Sequence, residues 1–326
     1  MNPMKFYVLI LSFSYSLFIS ITPSVAQESD WTPTRINKCI ELLSSGQPIY
    51  YVDGYGGYEE GKALAQTWAD YIIYNMEHNP LDFGLLREFM QGLLDGGPTP
   101  SGHLTPTVIC SVPLLGMDEA TVKAGSWMIQ QALAQGVHGL HLVRARNPEA
   151  VKYYVRSARY PVHKQQIDVV GEGLRGYGSH FFAAKIWGIT PQEYLKKADV
   201  WPLNPEGELM LGIKIEDRHA LQNTEASITV PGIAFAEHGP RDMGLSYGYL
   251  EGRADPPVPA EVDAAGDRVL AACKENGVFF LDNVLPDNVI ERIKKGVMIG
   301  AGRREDSAET GRKYTRRQMP WKSQIK

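Results

Sequence analysis

The sequence predicts a (β/α)8 barrel. Three observations point there: eight apolar strand-like runs, helix-like stretches between most of them, and polar residues where several runs end. The 326 residues and 44% hydrophobic content suffice for one such domain, which commonly takes about 250 residues. A doubly wound open sheet is the structural alternative, but no GxGxxG or P-loop follows the first run to support it. The formal charge of −4 gives no electrostatic reason to expect nucleic acid as a partner.

The elements follow in order. "PIYYVDG" (48–54) reads as the first strand and "EEGKALAQTWA" as the amphipathic helix behind it. "DYIIYNMEH" (70–78) is the second strand, followed by the helix "DFGLLREFMQGLL". "PTVICSVPLL" (106–115) is the third, and its helix "AGSWMIQQALAQG" ends at Gly136. "GLHLVRA" (139–145) is the fourth; Asn147 and Pro148 supply the cap and first turn of its helix, "NPEAVKYYVRSARY". Residues 160–208 mix a Gly-rich loop with a helix. "LMLGIKIE" (209–216), "PGIAFAEHG" (231–239), "GVFFLDN" (277–283) and "GVMIGAG" (296–302) are strands five to eight. "AEVDAAGDRVLAACKEN" and "PDNVIERIKK" read as helices between the last three.

Both ends of the chain differ from this pattern. Residues 1–26 carry Lys5, an apolar run from Phe6 to Ile21, and then Ser24-Val25-Ala26. That is the layout of a secretory signal cleaved near Ala26, with an uncleaved membrane anchor as the alternative. The expectation is an exported protein, periplasmic or secreted, with no stable anchor after cleavage and a barrel over 27–302. The tail 303–326 has eight basic and three acidic residues, and reads as a solvated end or as an arm on a neighbouring subunit. Cys39, Cys110 and Cys273 match no zinc spacing; Cys110 reads as core, and one disulfide remains open.

Catalytic side chains of such barrels sit where strands end. Strand two ends in Glu77-His78, strand four in Arg144 and Arg146, and strand five in Lys214 and Glu216. Strand six ends in Glu237 and His238, with Asp242 after a Gly-Pro turn. Glu216 and Asp242 on adjacent strands suit a divalent cation, Mg2+ or Mn2+, with Co2+ and Zn2+ as further candidates. Lys214 would then be a charge partner of Glu216 or a substrate contact; a purely structural Glu–Lys pair is the alternative. His78 is a candidate general base, because imidazole titrates near neutral pH; otherwise it is a hydrogen-bonded core histidine. His238 and His141 are weaker candidates. Arg175 lies in "GLRGYGS", whose glycines permit close approach to a ligand.

Several segments resemble the HpcH/HpaI aldolase/citrate lyase family across about residues 48–302. "ADYIIYNMEHNPLD" looks like the family's Glu-His strand, and "ALAQGVHGLHLVRARNPEAVKYYVRSARYP" like its fourth strand and helix. "GLRGYG" is similar to its Arg-Gly loop and "IKIEDRHALQN" to its metal-glutamate strand. "VPGIAFAEHGPRDMGLSYG" resembles its Gly-Pro-x-Asp-Leu-Ser loop, with Met243-Gly244 inserted.

The resemblance implies a divalent-metal-dependent carbon–carbon lyase that acts on a 2-oxo acid and an aldehyde through a metal-stabilised enolate. Glu216 and Asp242 would hold the metal. Gly239, Pro240, Arg241 and Arg175 would bind substrate, and His78, Lys214 and Arg144 would take part in catalysis. It also implies a homo-oligomer, a hexamer as in the family.

The sequence departs from the family at several points. "PTVICSVPLLGMDEATVKAG" lacks the arginine usual near strand three, a role that Arg144 or Lys214 would take over. Asn75 stands where an acid often lies and Lys214 where a glutamine is usual; Glu237-His238 is also unusual. An exported binding protein for a small carboxylate, without catalysis or with altered chemistry, is therefore the second functional class.

Overall fold

The structure is a computed structural model that describes residues 31–255, 257–301 and 304–325. The eight predicted runs contain eight strands: β1 (Ile49–Gly54), β2 (Tyr71–Asn75), β3 (Thr107–Leu115), β4 (Gly139–Val143), β5 (Leu209–Lys214), β6 (Ile233–Glu237), β7 (Phe279–Asn283) and β8 (Val297–Ala301). Each pairs in parallel with the next, β4 with β5 included, and β8 returns to β1. The closed ring is the predicted (β/α)8 barrel and excludes the open sheet. A two-residue strand, Val200–Trp201, adds onto the start of β5.

Period-two alternation sorts the strand side chains into two cores. Tyr50, Ile72, Tyr74, Val108 and Cys110 face the outer helices. Ile49, Tyr51, Tyr71, Ile73, Ile109 and Phe235 fill the barrel interior. Gly212 is a glycine because a Cβ there would lie 2.2 Å from the Phe235 ring. Helix Lys38–Ser44 contributes Cys39, Ile40, Leu42 and Leu43 to the interior cluster. Asn37 caps that helix by accepting from the N–H groups of Cys39 and Ile40, and donates to the carbonyls of His138 and Glu208. These ties fasten the helix to the chain entering β4 and β5.

Residues 160–208 hold more helix than expected: Ile167–Val170, His180–Trp187 and Pro191–Lys197. The third carries a Thr190–Glu193 capping box. The three cysteines are free and buried, so Cys110 is core as expected and no disulfide forms among them. The predicted signal lies outside the described residues. Among those described, no helix is long and apolar enough to cross a membrane.

The tail corrects the expectation of a solvated end or an arm. Helix Glu305–Tyr314 takes the place of the eighth barrel helix. Its Arg312, with Arg317 just beyond, reaches Asp70 at the base of β2. Asp70 Oδ1 lies 3.1 Å from Arg312, 2.6 Å from Arg317 and 3.3 Å from Lys38, and every side chain in the set is buried. The positive charge that reads as a solvent-exposed run is thus partly internal. Burial pushes the Asp70 carboxyl up, but Arg312, Arg317 and Lys38 outweigh it and hold it below the usual carboxylate range.

A depressed carboxylate contributes stability that is complete above its unfolded pKa of about 3.9 and is lost as pH falls through the folded value. Acid should therefore weaken the fold progressively below about pH 4. Asp70→Asn should cost about 3–5 kcal/mol at neutral pH, because it strands buried cations. Denaturant titration of both proteins from pH 7 to pH 3 checks this: the difference should begin to shrink below about pH 4, where Asp70 of the unfolded chain takes up its proton.

Candidate active site

The C-terminal ends of the strands enclose a cavity of about 340 Å³. Alternation that is apolar at depth turns polar at this level. Asp53, Asn75, Ser111, Lys214, Glu237 and Asn283 line the mouth from β1, β2, β3, β5, β6 and β7. The loops add Glu216 and residues Gly239 to Asp242. Lys214 and Glu216 share one face of the extended chain because side chains two apart point the same way.

Glu216 is buried just beyond the end of β5. The Ala145 N–H donates to the Lys214 carbonyl and the Ile215 N–H to the Glu237 carbonyl, so β4 and β6 grip the chain on both sides. Asp217 then caps helix Arg218–Gln222 through the N–H groups of His219 and Ala220, turning the chain away from the mouth. The Arg144 N–H donates to Glu216 Oε1 at 3.1 Å, and Arg144 Nη2 lies 3.7 Å from Asp242 Oδ1. One residue thus touches both carboxylates predicted to hold metal. Its left-handed backbone, φ 49°, costs a non-glycine residue about 1–2 kcal/mol.

Lys214 Nζ is bonded to Glu77 Oε2 at 2.6 Å, so its direct ion pair is with Glu77, while Glu216 is a charge partner without that contact. Burial draws the Lys214 pKa down, but Glu237, Glu216 and Glu77 outweigh it and hold the ammonium above the ordinary lysine value. Glu77 Oε1 also lies 3.4 Å from His78 Nε2. Asn75 stands where an acid often lies, and Glu77, immediately before His78, supplies an acidic neighbour. Asn75 instead accepts the N–H groups of Glu77 and His78 and shapes this turn. His78 is largely exposed at the rim, so it is not a core histidine. Sequence reasoning gave Glu77 no role; its signal was its place beside His78 at a strand end.

Other candidates divide. Gly239, Pro240, Arg241 and Asp242 all line the mouth, at the start of helix Pro240–Tyr247. Arg144 is not among the residues lining the mouth. With Arg146 and Asp217 it lines a second cavity of about 260 Å³ on the other side of Glu216 and Asp242. Ser111 stands in the mouth at the end of the chain's β2–β3 register. Arg175 is corrected outright: it is buried against the rings of Tyr160 and Tyr194, 4.1 and 5.6 Å away, and lines neither cavity. His141 lies inside the barrel, with Nδ1 3.5 Å from Glu237. Burial, with Lys214 adding, holds its pKa well below the usual histidine value. Burial likewise pushes His238 down to about 4. Both rings are therefore neutral at pH 7.

The residues fit a hard divalent cation. Burial pushes the Glu216 carboxyl up to about 8; Lys214 opposes this, while Glu77, Glu237 and Asp242 add to it. An ionised carboxylate there calls for more positive charge than Lys214 supplies. No group of three or more histidine, cysteine or acidic side chains is set to ligate a metal among the described residues. Two carboxylates with the remaining positions left to water and substrate is the pattern magnesium takes.

Gly239 provides a test of this packing. A Cβ there would lie 2.7 Å from Glu216 Cβ and 2.9 Å from Oε2. Gly239→Ala should therefore displace the carboxylate while the barrel stays folded. Displacing a group that orients a ligand typically costs about 10- to 100-fold in metal affinity, to be read by calorimetry with Mn2+.

Comparison with known proteins agrees with this geometry. No family model matches the chain. A hydroxypyruvate/pyruvate aldolase of Cupriavidus necator is 29% identical over 216 residues, 66% of this chain and 68% of the relative. A 4-hydroxy-2-oxo-heptane-1,7-dioate aldolase of Salmonella paratyphi B is 26% identical over 256 residues, 77% of this chain and 83% of the relative. The solved structure of an HpcH/HpaI aldolase/citrate lyase family protein from Burkholderia cenocepacia shares the fold, with a TM-score of 0.64 and 22% identity over 86% of this chain and 96% of that one. With its strand-end carboxylates and the order of its motifs, the chain is similar to aldolases and shares the barrel fold of an HpcH/HpaI aldolase/citrate lyase family protein.

Proposed function

We propose that the protein is a divalent-metal-dependent carbon–carbon lyase of the aldolase type, acting on a 2-oxo acid. The charge of the mouth carries this reading. Six carboxylates line it against three permanent cations, Lys214, Arg241 and Arg304. Such a cavity repels an anionic substrate until a cation is held there by Glu216 and Asp242.

When bound, the cation stabilises negative charge that builds on the substrate's 2-oxo oxygen. The chain's own groups do the rest. The first backbone N–H groups of helix Pro240–Tyr247 have no partner within the helix and suit the substrate carboxylate. His78 stands at the rim to move the proton, with Glu77 beside its Nε2 to orient the ring. Glu77 in turn is anchored by Lys214. Hydroxypyruvate and pyruvate, named for the first relative, are the 2-oxo acids to try first. An aldehyde is the expected second reactant. Export rests on residues 1–26 alone, and a homo-oligomer on the family resemblance.

Exchange of pyruvate methyl protons in D2O, followed by NMR with Mg2+ or Mn2+, tests the reading. The wild type should exchange them. Glu216→Gln should lose both calorimetric metal binding and exchange. His78→Ala should keep metal binding and lose about 100- to 10,000-fold in exchange. No exchange across several 2-oxo acids would leave the exported binding protein as the better reading.

Lys214 raises a rival chemistry, because a lysine inside a barrel can form a Schiff base with a 2-oxo acid. That step needs a free amine, and the surrounding glutamates keep this one protonated. Borohydride treatment with pyruvate should therefore leave the protein's mass unchanged. A reduced adduct on Lys214 would replace the metal mechanism with a covalent one.

A further inference from the structure

We propose that the base of the barrel, at the opposite end from the mouth, binds a small inorganic anion of chloride size beside Arg312 and Arg317. Three cationic side chains, Lys38, Arg312 and Arg317, converge on one carboxylate oxygen of Asp70. All four residues are more than nine-tenths buried. The Asp70 carboxylate is the acidic partner within salt-bridge distance of each cation among the described residues. Water can satisfy hydrogen bonds, but it does not cancel buried charge. Lys38 relieves part of the excess if it sheds its proton: burial draws its pKa down, Asp70 opposes, and Arg317 and Arg312 add to the fall. Guanidinium groups do not deprotonate in proteins. Two of them still share one carboxylate within salt-bridge distance, with Glu309 acting on Arg312 from farther off.

The hydrogen-bond inventory points the same way. Arg312 Nη2 donates to the Trp68 carbonyl and Arg317 Nη2 to the Pro48 carbonyl. Arg312 Nε and Nη1 and Arg317 Nε are buried and donate to nothing among the described residues. The hydroxyls of Tyr50 and Ser307 are in the same state. Ser307, Gly311 and Arg312 lie on one helix, and the Tyr50 hydroxyl packs so tightly on Gly311 that a Cβ there would lie 1.8 Å from it. The Arg312 guanidinium lies 5.6 Å from the Tyr50 ring, 5.9 Å from Trp68 and 6.0 Å from Trp321. Aromatic walls and donors from several directions suit a monatomic anion, which has no directional lone pairs to satisfy, better than a bulky oxyanion.

Two measurements on the full chain test the proposal. Crystals soaked in sodium bromide, with data collected at the bromine edge, should show an anomalous peak in contact with Arg312 and Arg317. Thermal unfolding in sodium chloride should show a saturating rise in melting temperature over sodium gluconate at equal ionic strength, as expected for a ligand that binds the folded state. Arg312→Gln should remove that difference; should this variant not fold, the wild-type measurements decide alone. Bromide confined to the protein surface, or equal melting temperatures in the two salts, would overturn the proposal. Neither readout depends on the mouth or on its metal, so failure here leaves the proposed lyase chemistry untouched, and the converse holds.

Discussion

A closed ring of parallel strands sends every second side chain inward, and that constraint organises both ends of this molecule. The middle of the interior is apolar, filled by Ile73, Ile109 and Phe235 and sealed from below by helix Lys38–Ser44. Charge inside the ring is therefore displaced to the two ends. At the mouth, carboxylates gather around Lys214. At the base, cations gather around Asp70. Lys214 and Asp70 are each surrounded by several groups of the opposite sign. Such a group is kept charged by its neighbours, while the majority charge at each end remains incompletely balanced by the chain itself.

Most of the barrel was legible in the sequence, because strand runs of five to nine residues separated by helices leave a strong periodic trace. What escaped was set by tertiary contacts. The tail's basic residues carry no periodic apolar signal, yet Arg312 and Arg317 are buried because Asp70 waits at the base of β2. Arg175 failed in the other direction. Its glycine-rich surroundings suggested ligand approach, whereas its guanidinium stacks on Tyr160 and bonds to the Tyr194 hydroxyl. Composition cannot tell which partner a buried arginine will find. Strand-end position proved more informative: Glu216, Asp242, Lys214 and His78 all reach one cavity.

Two departures from the family pattern, Asn75 and Lys214, look unrelated in the sequence and are joined in the structure. An acid at 75 would place one more carboxylate in a mouth already rich in them. With an amide there, the side chain serves as an N–H acceptor for the turn that carries Glu77 and His78. Glu77 then becomes the acid next to His78, and its half-buried carboxylate is paired with a cation. Lys214, across the barrel on β5, is that cation at 2.6 Å. A glutamine in its place could donate a hydrogen bond but no charge, and the cost of burying an unpaired carboxylate would fall on Glu77.

The same pairing limits what Lys214 can do for a substrate. Its ammonium is shared with Glu77 and lies in the field of Glu216 and Glu237, so much of its charge is already compensated. An arginine at the end of β3 would bring a planar fork able to grip an oxyanion through two parallel hydrogen bonds; the arginines that do line the mouth, Arg241 and Arg304, follow β6 and β8 instead. Ser111 offers a hydroxyl at the end of the paired segment of β3, and Arg144 faces the outer cavity. Without an arginine from β3, stabilisation of negative charge on a 2-oxo acid would fall to a cation held by Glu216 and Asp242, to the backbone N–H groups beginning helix Pro240–Tyr247, and to Arg241 and Arg304. Loss of an arginine from the side-chain set thus places a greater share of the electrostatic work on the metal site and the main chain.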